Sequence, residues 1–128
     1  MSTPWSGLTL FGIAFTMSCG ARAQALCTEI FAPTVIVEIS DSLTGAPLAE
    51  QARGLISHGS YADSLRPYGW NEDGVLRSRQ AGGERPGTYD VTVVHPGYVA
   101  WQVRRIRIGR DACHVRTAVI RAKLKRLP

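Results

Sequence analysis

Three histidines are the side chains of this sequence best suited to move protons near neutral pH, because imidazole titrates there. A hydrolytic or metal centre would need His58, His95 or His114 to converge with a carboxylate such as Asp63 or Asp90. The sequence contains no CxxC or HxxxH spacing, and no serine lies in a G-x-S-x-G motif. It therefore predicts no catalytic residue, no metal site and no cofactor. A small hydrolase that uses one of these histidines is the third functional hypothesis, after the structural and binding roles given below.

Aromatic rings and clustered positive charge indicate a binding surface instead. Tyr68 and Trp70 lie in the polar, turn-rich stretch 63–86, where an exposed ring could stack on a sugar or a peptide. Nine Arg or Lys residues but only one acid, Asp111, fall within 104–126, which favours anionic partners. The candidate ligand-binding residues are Tyr68, Trp70, Arg104, Arg105, Arg107, Arg121 and Lys123.

The expected partner is an envelope protein or an anionic glycan or lipid. Nucleic acid is not expected, because the aromatic interleaving of RNA-binding motifs is absent and because the N-terminal segment, described next, predicts export to a place where nucleic acid is rarely met. Two structural alternatives stand beside this interpretation. The aromatic rings would pack the loop onto the domain, and the basic residues would form a solvated edge that blocks strand addition.

Residues 1–25 have the pattern of a secretory signal peptide. Leu8–Met17 is an apolar run of ten residues, shorter than the roughly 20 residues that a transmembrane helix needs. Small residues near position 23 suit a signal peptidase, so cleavage is expected after Ala23 or Ala25. No Lys or Arg precedes the apolar run, which leaves an N-terminal strand or buried helical turn as the alternative. The prediction is a secreted or periplasmic protein with one domain at 26–128.

The three cysteines fit the same location. Cys19 would leave with the signal peptide, and the remaining pair, Cys27 and Cys113, is expected to form a disulfide in an oxidising compartment. Two free thiols in a cytosolic protein are the alternative. Small residues flank Cys19 as in a lipoprotein signal, although Thr16 stands where a leucine is expected. Lipid anchoring through Cys19 is therefore the alternative to simple release.

Length and composition bound the class of protein. A chain of 128 residues suits one domain. Its 45% hydrophobic and 20% charged residues are typical of a globular protein, and 15 Lys and Arg against 10 Asp and Glu give a net charge of +5. These values exclude a multidomain enzyme, a long coiled coil and a polytopic membrane protein. The 13 Gly and 7 Pro favour many turns and few long helices.

Alternating side chains predict β-strands along the mature chain. In 34–40 the β-branched residues at 35, 37 and 39 share one face, and 53–62 predicts a second strand weakened by two glycines. Asp73-Gly74 predicts a hairpin turn with the return strand beginning at Val75, while pairing across the rest of the 63–86 insert stays open.

The C-terminal half predicts three further strands. In 88–94 the inward positions are 89, 91 and 93, and in 98–103 Val99, Trp101 and Val103 share a face. Ile106 and Ile108 have the opposite parity, so a bulge is expected near Arg104-Arg105. In the last strand, 115–124, the even-numbered residues from 118 to 124 share one face. Seven or so short strands with turns every 8–12 residues predict an all-β, Greek-key β-sandwich.

The order of these motifs resembles a carboxypeptidase regulatory-like domain. The matching residues are Val35-x-Val37-x-Ile39-x-Asp41-x-x-Thr44-Gly45-x-Pro47-Leu48, then Asp73-Gly74, then Pro86-Gly87-Thr88-Tyr89-x-Val91-x-Val93, and then Pro96-Gly97-Tyr98. The resemblance covers residues 33 to about 124 and implies a transthyretin-like β-sandwich. The insert between Tyr61 and Gly83 is longer and more polar than in the simplest members.

The resemblance implies a noncatalytic role. Such domains are accessory modules of secreted carboxypeptidases, outer-membrane receptors and adhesins, and they also occur alone in exported bacterial proteins. A related branch that hydrolyses 5-hydroxyisourate ends in Tyr-Arg-Gly-Ser, whereas this chain ends in Leu124-Lys125-Arg126-Leu127-Pro128. We therefore expect an exported structural or interaction module at the cell envelope, with a binding module for an anionic glycan or lipid as the alternative.

Overall fold

Eight β-strands and no helix account for the regular structure of the described residues in this computed structural model. The described residues are 27–128 together with Ser2, Gly7 and Gly12. Both predicted cleavage sites and Cys19 lie outside them, so the signal peptide and the lipid anchor stay predictions. The strands are β1 (Val35–Asp41), β2 (Arg53–His58), β3 (Tyr61–Ser64), β4 (Arg66–Trp70), β5 (Leu76–Ala81), β6 (Gly87–Val94), β7 (Trp101–Ile108) and β8 (Ala118–Leu124).

The strands form two four-stranded sheets, with the orders β4-β5-β1-β8 (sheet A) and β3-β2-β6-β7 (sheet B). After β1 the chain lays two strands in sheet B, two in sheet A and two in sheet B before β8 returns to sheet A. All neighbours are antiparallel except β1 and β8, which run parallel from Val35↔Ala118 to Asp41↔Leu124. Apolar side chains from both sheets form one core between them.

The side-chain faces predicted for three strands are confirmed, and in each strand the predicted apolar face points toward the core. Positions 35, 37 and 39 of β1 and positions 89, 91 and 93 of β6 are all fully buried, because alternate residues of a strand point to the same side. In β8, Ala122 and Leu124 are buried, and Ala118 and Ile120 are partly buried against the core. The all-β sandwich expected from the alternation is therefore what the described residues form.

The predicted strand at 53–62 is wrong in one respect, because the chain reverses within it. His58 pairs with Tyr61, so Gly59 and Ser60 form a two-residue hairpin loop between β2 and β3. Gly59 has a φ of 56°, as a type II′ turn requires of its first central residue. The predicted turn at Asp73-Gly74 is confirmed, since Gly74 has a φ of 73° and β4 pairs with β5 around it.

The predicted bulge in the seventh strand is also confirmed. Val91 pairs with Val103 but Tyr89 pairs with Ile106, so β7 holds one residue more than β6 in this interval. Arg105 has a φ of 57°, and its N–H donates to Oδ1 of Asp90 over 3.0 Å. The strand predicted at 98–103 begins only at Trp101, so Val99 precedes β7 and is 44% exposed.

A disulfide joins Cys27 and Cys113 across 86 positions of sequence, with their Cα atoms 5.0 Å apart. The predicted pairing is therefore confirmed. It ties the segment before β1 to the 109–117 connection between β7 and β8. Among the described residues, no helix is long and apolar enough to cross a membrane.

Candidate binding cleft

Sheet A opens at one end because β1 and β5 stop pairing there. The two strands pair only from Val35↔Ala81 to Glu38↔Ser78. Beyond Glu38, β1 bonds to the chain that follows it: Leu48 N donates to Ile39 O, and Asp41 N donates to Ala46 O, each over 2.9 Å. A cleft therefore lies between the 41–48 turn and the β4–β5 hairpin.

The wall formed by the 41–48 turn is fixed by one carboxylate. Oδ1 of Asp41 accepts the N–H groups of Leu43 at 2.8 Å and Thr44 at 3.0 Å, which is the Asx-turn geometry. Gly45, with a φ of 72°, completes the reversal. The side chain of Asp41 therefore holds the backbone of this turn in place and is not free to bind a ligand.

Two distant side chains complete the environment of Asp41. Oδ2 accepts the hydroxyl of Tyr98 at 2.6 Å and Nε of Arg126 at 2.9 Å. These hydrogen bonds, with that of Tyr98 the most important, stabilise the carboxylate and hold the pKa of Asp41 well below its ordinary value. The turn is thereby tied to the 95–98 turn and to the C-terminal segment.

The cleft encloses about 390 Å³, and its lining mixes one aromatic ring with hydrogen-bonding groups. Tyr68 on β4 pairs with Ser78 on β5, which pairs with Glu38 on β1, so these three side chains lie in one row on the outer face of sheet A. Ser40 and Asn71 also line the cleft, and Tyr68 is 39% exposed. A volume of this size accommodates a small ligand.

Charges beside the cleft are paired with each other. Arg121 Nε lies 3.2 Å from Oε2 of Glu38, and Arg77 contacts Asp73 at 2.6 and 3.1 Å. Hydrogen bonds from the Arg77 guanidinium, and then from the Val75 N–H, lower the pKa of Asp73 to about 2. Because each carboxylate has its own guanidinium, the cleft suits a neutral polar ligand better than a strongly charged one.

The aromatic and basic candidates lie on different strands of the sandwich. Tyr68 and Trp70 lie on β4, and Trp70 is 65% exposed. Arg121 and Lys123 lie on β8, at the opposite edge of sheet A, three strand steps or roughly 14 Å away. Sequence reasoning treated the two sets as one surface, whereas β8 adjoins the cleft only where Arg121 and Lys123 pair with Glu38 and Ser40 of β1.

The basic candidates themselves come together. Arg104, Arg105 and Arg107 belong to β7, the edge strand of sheet B, and β7 contacts β8, the edge strand of sheet A. Both edges therefore contribute positive charge to the same side of the sandwich. Lys123 and the three β7 arginines belong to none of the ion pairs formed among the described residues.

The histidines occupy three separate environments. His58 ends β2 and lies edge-on to Tyr89, with ring centroids 5.9 Å apart, whereas His95 follows β6 and lies edge-on to Tyr98 at 5.0 Å. His114 lies in the β7–β8 connection, with Nδ1 2.6 Å from Oε1 of Glu84. Within residues 27–128, no group of three or more His, Cys, Asp or Glu side chains is placed to hold a metal ion.

Sequence reasoning missed most of the cleft lining. No sequence motif marks Glu38, Ser40 and Ser78. They lie near Tyr68 only because of the strand order and because the pairing of β1 with β5 ends at Glu38. The one available signal was the string Asp41-x-x-Thr44-Gly45, whose residue types favour a turn. No protein-family model matches this sequence, and no curated protein matches it either.

Proposed function

We propose that the protein is an exported, transthyretin-like β-sandwich of the carboxypeptidase regulatory-like type, which serves as an interaction module at the cell envelope. Three observations support this proposal. The described residues form an all-β sandwich, the chain crosses repeatedly between its two sheets, and a disulfide closes the domain. Such bonds persist in secreted and periplasmic proteins, where the environment is oxidising.

The cleft beside Tyr68 is the binding site of this module, and a saccharide is the ligand that its chemistry fits best. The opening of sheet A beyond Glu38 is the observation that carries this assignment. An exposed tyrosine ring can stack on the apolar face of a sugar, while the carboxylate of Glu38, the hydroxyls of Ser40 and Ser78 and the amide of Asn71 can bond its hydroxyl groups. The paired charges favour a neutral sugar.

An anionic glycan or lipid headgroup is the second candidate ligand. The basic residues of β7 and β8 that gather on one side of the sandwich favour it. Binding there would weaken as salt is added, because it depends on screened charge. Binding in the Tyr68 cleft would change little with salt, so ionic strength separates the two surfaces.

The test uses the full chain exported by a bacterial host, with the disulfide verified by intact mass. Neutral oligosaccharides of glucose and of N-acetylglucosamine, and heparin as the anionic probe, are titrated by calorimetry and by amide NMR. Tyr68→Ala should weaken binding of a neutral oligosaccharide about tenfold, which corresponds to about 1.4 kcal/mol of lost stacking. Val119→Ala, exposed at the far edge of the same face, should bind like wild type.

The outcomes separate the alternatives. Amide shifts of Glu38, Ser40 and Ser78 with a neutral sugar support the cleft. Shifts confined to β7 and β8 with heparin, lost at high salt, support the basic surface instead. If Tyr68→Ala binds as tightly as wild type, the cleft is not the sugar site.

A further inference from the structure

A hydroxyl, an imidazole and a carboxylate form a hydrogen-bonded chain at the end of the sandwich where β1 begins. Oγ1 of Thr28 lies 3.1 Å from Nε2 of His114, and Nδ1 of His114 lies 2.6 Å from Oε1 of Glu84. Thr28 and His114 are 86 positions apart in sequence. The Cys27–Cys113 disulfide, immediately before both residues, holds the two segments together.

Glu84, which is half-buried, is held by several hydrogen bonds to the backbone. Its Oε1 also accepts the N–H of Ala32 at 3.0 Å, its Oε2 accepts the N–H of Val115 at 3.1 Å, and its own N–H donates to Ala32 O at 2.9 Å. Its φ is 50°, in the left-handed region that a non-glycine residue seldom occupies. Backbone strain of this kind collects at functional sites, where surrounding contacts maintain it.

These contacts decide how the protons are arranged. The N–H groups of Val115 and Ala32, with His114, lower the pKa of Glu84, so its carboxylate is ionised and accepts hydrogen bonds. Nδ1 of His114 must therefore carry the proton that it shares with Glu84. In a neutral ring, Nε2 then has a free lone pair, which can accept the hydroxyl proton of Thr28.

We propose that Thr28 is the nucleophile of an acyl-transfer centre, with His114 as its general base and Glu84 as the residue that positions the imidazole. Oγ1 of Thr28 attacks the carbonyl carbon of a carboxylic ester as its proton moves to Nε2 of His114. The C–O bond to the leaving group breaks, and that alkoxide takes the proton from His114. Water then attacks the acyl-threonine with His114 again as base, which releases the carboxylic acid and restores the hydroxyl.

The surroundings of Thr28 indicate the class of ester. An open pocket of about 410 Å³ includes Thr28, His114 and the disulfide, and it is lined by Ile30, Phe31 and Arg110. Ile30 is 70% and Phe31 58% exposed, so both offer apolar surface to a short acyl chain. Arg110 supplies positive charge to oppose the negative charge that develops on the carbonyl oxygen. This role in acetyl or butyryl ester hydrolysis goes beyond the interaction role, and it uses the other end of the molecule from the Tyr68 cleft.

The experiment treats the full-length, disulfide-bonded chain with p-nitrophenyl acetate and p-nitrophenyl butyrate. The expected result is a burst of p-nitrophenol and an acyl group located on Thr28 by peptide mass spectrometry. Thr28→Val should reduce the rate at least a hundredfold, because it removes the hydroxyl and keeps the shape of the side chain. Thr28→Ser should keep the activity, and His95→Gln, which changes a histidine outside the cluster, should match wild type.

The role of Glu84 needs a separate measurement. Glu84→Gln places an amide against Nδ1 and so removes the preference for a proton there, which should lower kcat and leave KM unchanged. Thermal unfolding of each variant shows whether the fold is intact. If folded wild-type protein carries no acyl group on Thr28, or if Thr28→Val keeps the wild-type rate, the proposal is overturned. Sugar binding by Thr28→Val should equal that of wild type, so failure here is distinguishable from failure of the cleft assignment.

Discussion

The hydroxyl of Tyr98 donates a 2.6 Å hydrogen bond to Oδ2 of Asp41, 57 positions earlier in the chain. Arg126 donates to the same oxygen from 85 positions away, and the side chain of Asp41 is only 1% exposed. One carboxylate therefore joins the turn after β1, the turn after β6 and the C-terminal segment. The frame of the Tyr68 cleft depends on this junction, because the 41–48 turn is one of its walls.

Replacing Asp41 should loosen that junction. In Asp41→Asn one carboxylate oxygen becomes an NH2 group, which cannot accept hydrogen bonds from Tyr98 and Arg126. We expect Tm to fall by roughly 5–10 °C in circular dichroism melts. Glu38→Gln, at an exposed carboxylate, is the control and should change Tm much less. Equal losses in the two variants would show that the junction adds no special stability.

Acid should destabilise the protein through the same carboxylate. The folded pKa of Asp41 lies below the 3.8 of an unperturbed aspartate, so the unfolded chain binds the proton more readily. Its contribution to stability is present above pH 3.8 and is lost as pH falls toward the folded pKa. Wild type should therefore lose Tm steadily below about pH 4. The loss should be smaller in Asp41→Asn, and identical slopes would contradict the assignment.

The disulfide should contribute more stability than any single side chain. Closing a loop of 86 positions restricts the unfolded chain, which corresponds to about 4 kcal/mol in the entropic model. The double variant Cys27→Ser, Cys113→Ser should lower the urea midpoint accordingly. The control is wild type in reductant, which should approach the same midpoint. A double variant as stable as oxidised wild type would exclude this role.

Gly54 should not tolerate a side chain. A Cβ at this position would overlap the carbonyl oxygen of Thr92 on the neighbouring strand and approach Leu65. Backbone atoms of a paired strand cannot move aside easily, so Gly54→Ala should destabilise the fold by about 2 kcal/mol or more in urea denaturation. Gly109→Ala is the matched control, because a Cβ there meets no atom within 4 Å. Similar effects in both variants would refute the steric explanation.

Local patterns predicted the parts of the fold that local geometry determines. The alternation in β1, β6 and β8 gave the correct side-chain faces, and the parity change after Val103 located the bulge at Arg105. The hairpin at Gly59 was missed because its loop has only two residues and the glycine was interpreted as a weak point within one strand. The burial of an arginine was not predicted by these patterns either. Arg79 is only 6% exposed, and its guanidinium donates hydrogen bonds to the carbonyls of Ala49 and Glu50.

The candidate sites were harder to predict, because they depend on which strands become neighbours. Cysteine counting paired Cys27 with Cys113 and so located the segment that carries Thr28. It gave no reason to place His114 between that threonine and Glu84. Likewise, Tyr68 was identified as an aromatic in a polar insert, but its neighbours Glu38 and Ser78 became visible only with the sheet order.

The parallel pairing of β1 with β8 limits the order in which the strands of sheet A can pair during synthesis. The first strand of the domain pairs with β5 on one side, and it receives its second partner only when residues 118–124 become available. Until residues 118–124 have been synthesised, one edge of β1 stays unpaired and sheet A is incomplete. Closure of sheet A therefore depends on a pairing between segments far apart in sequence, and such non-local contacts form slowly.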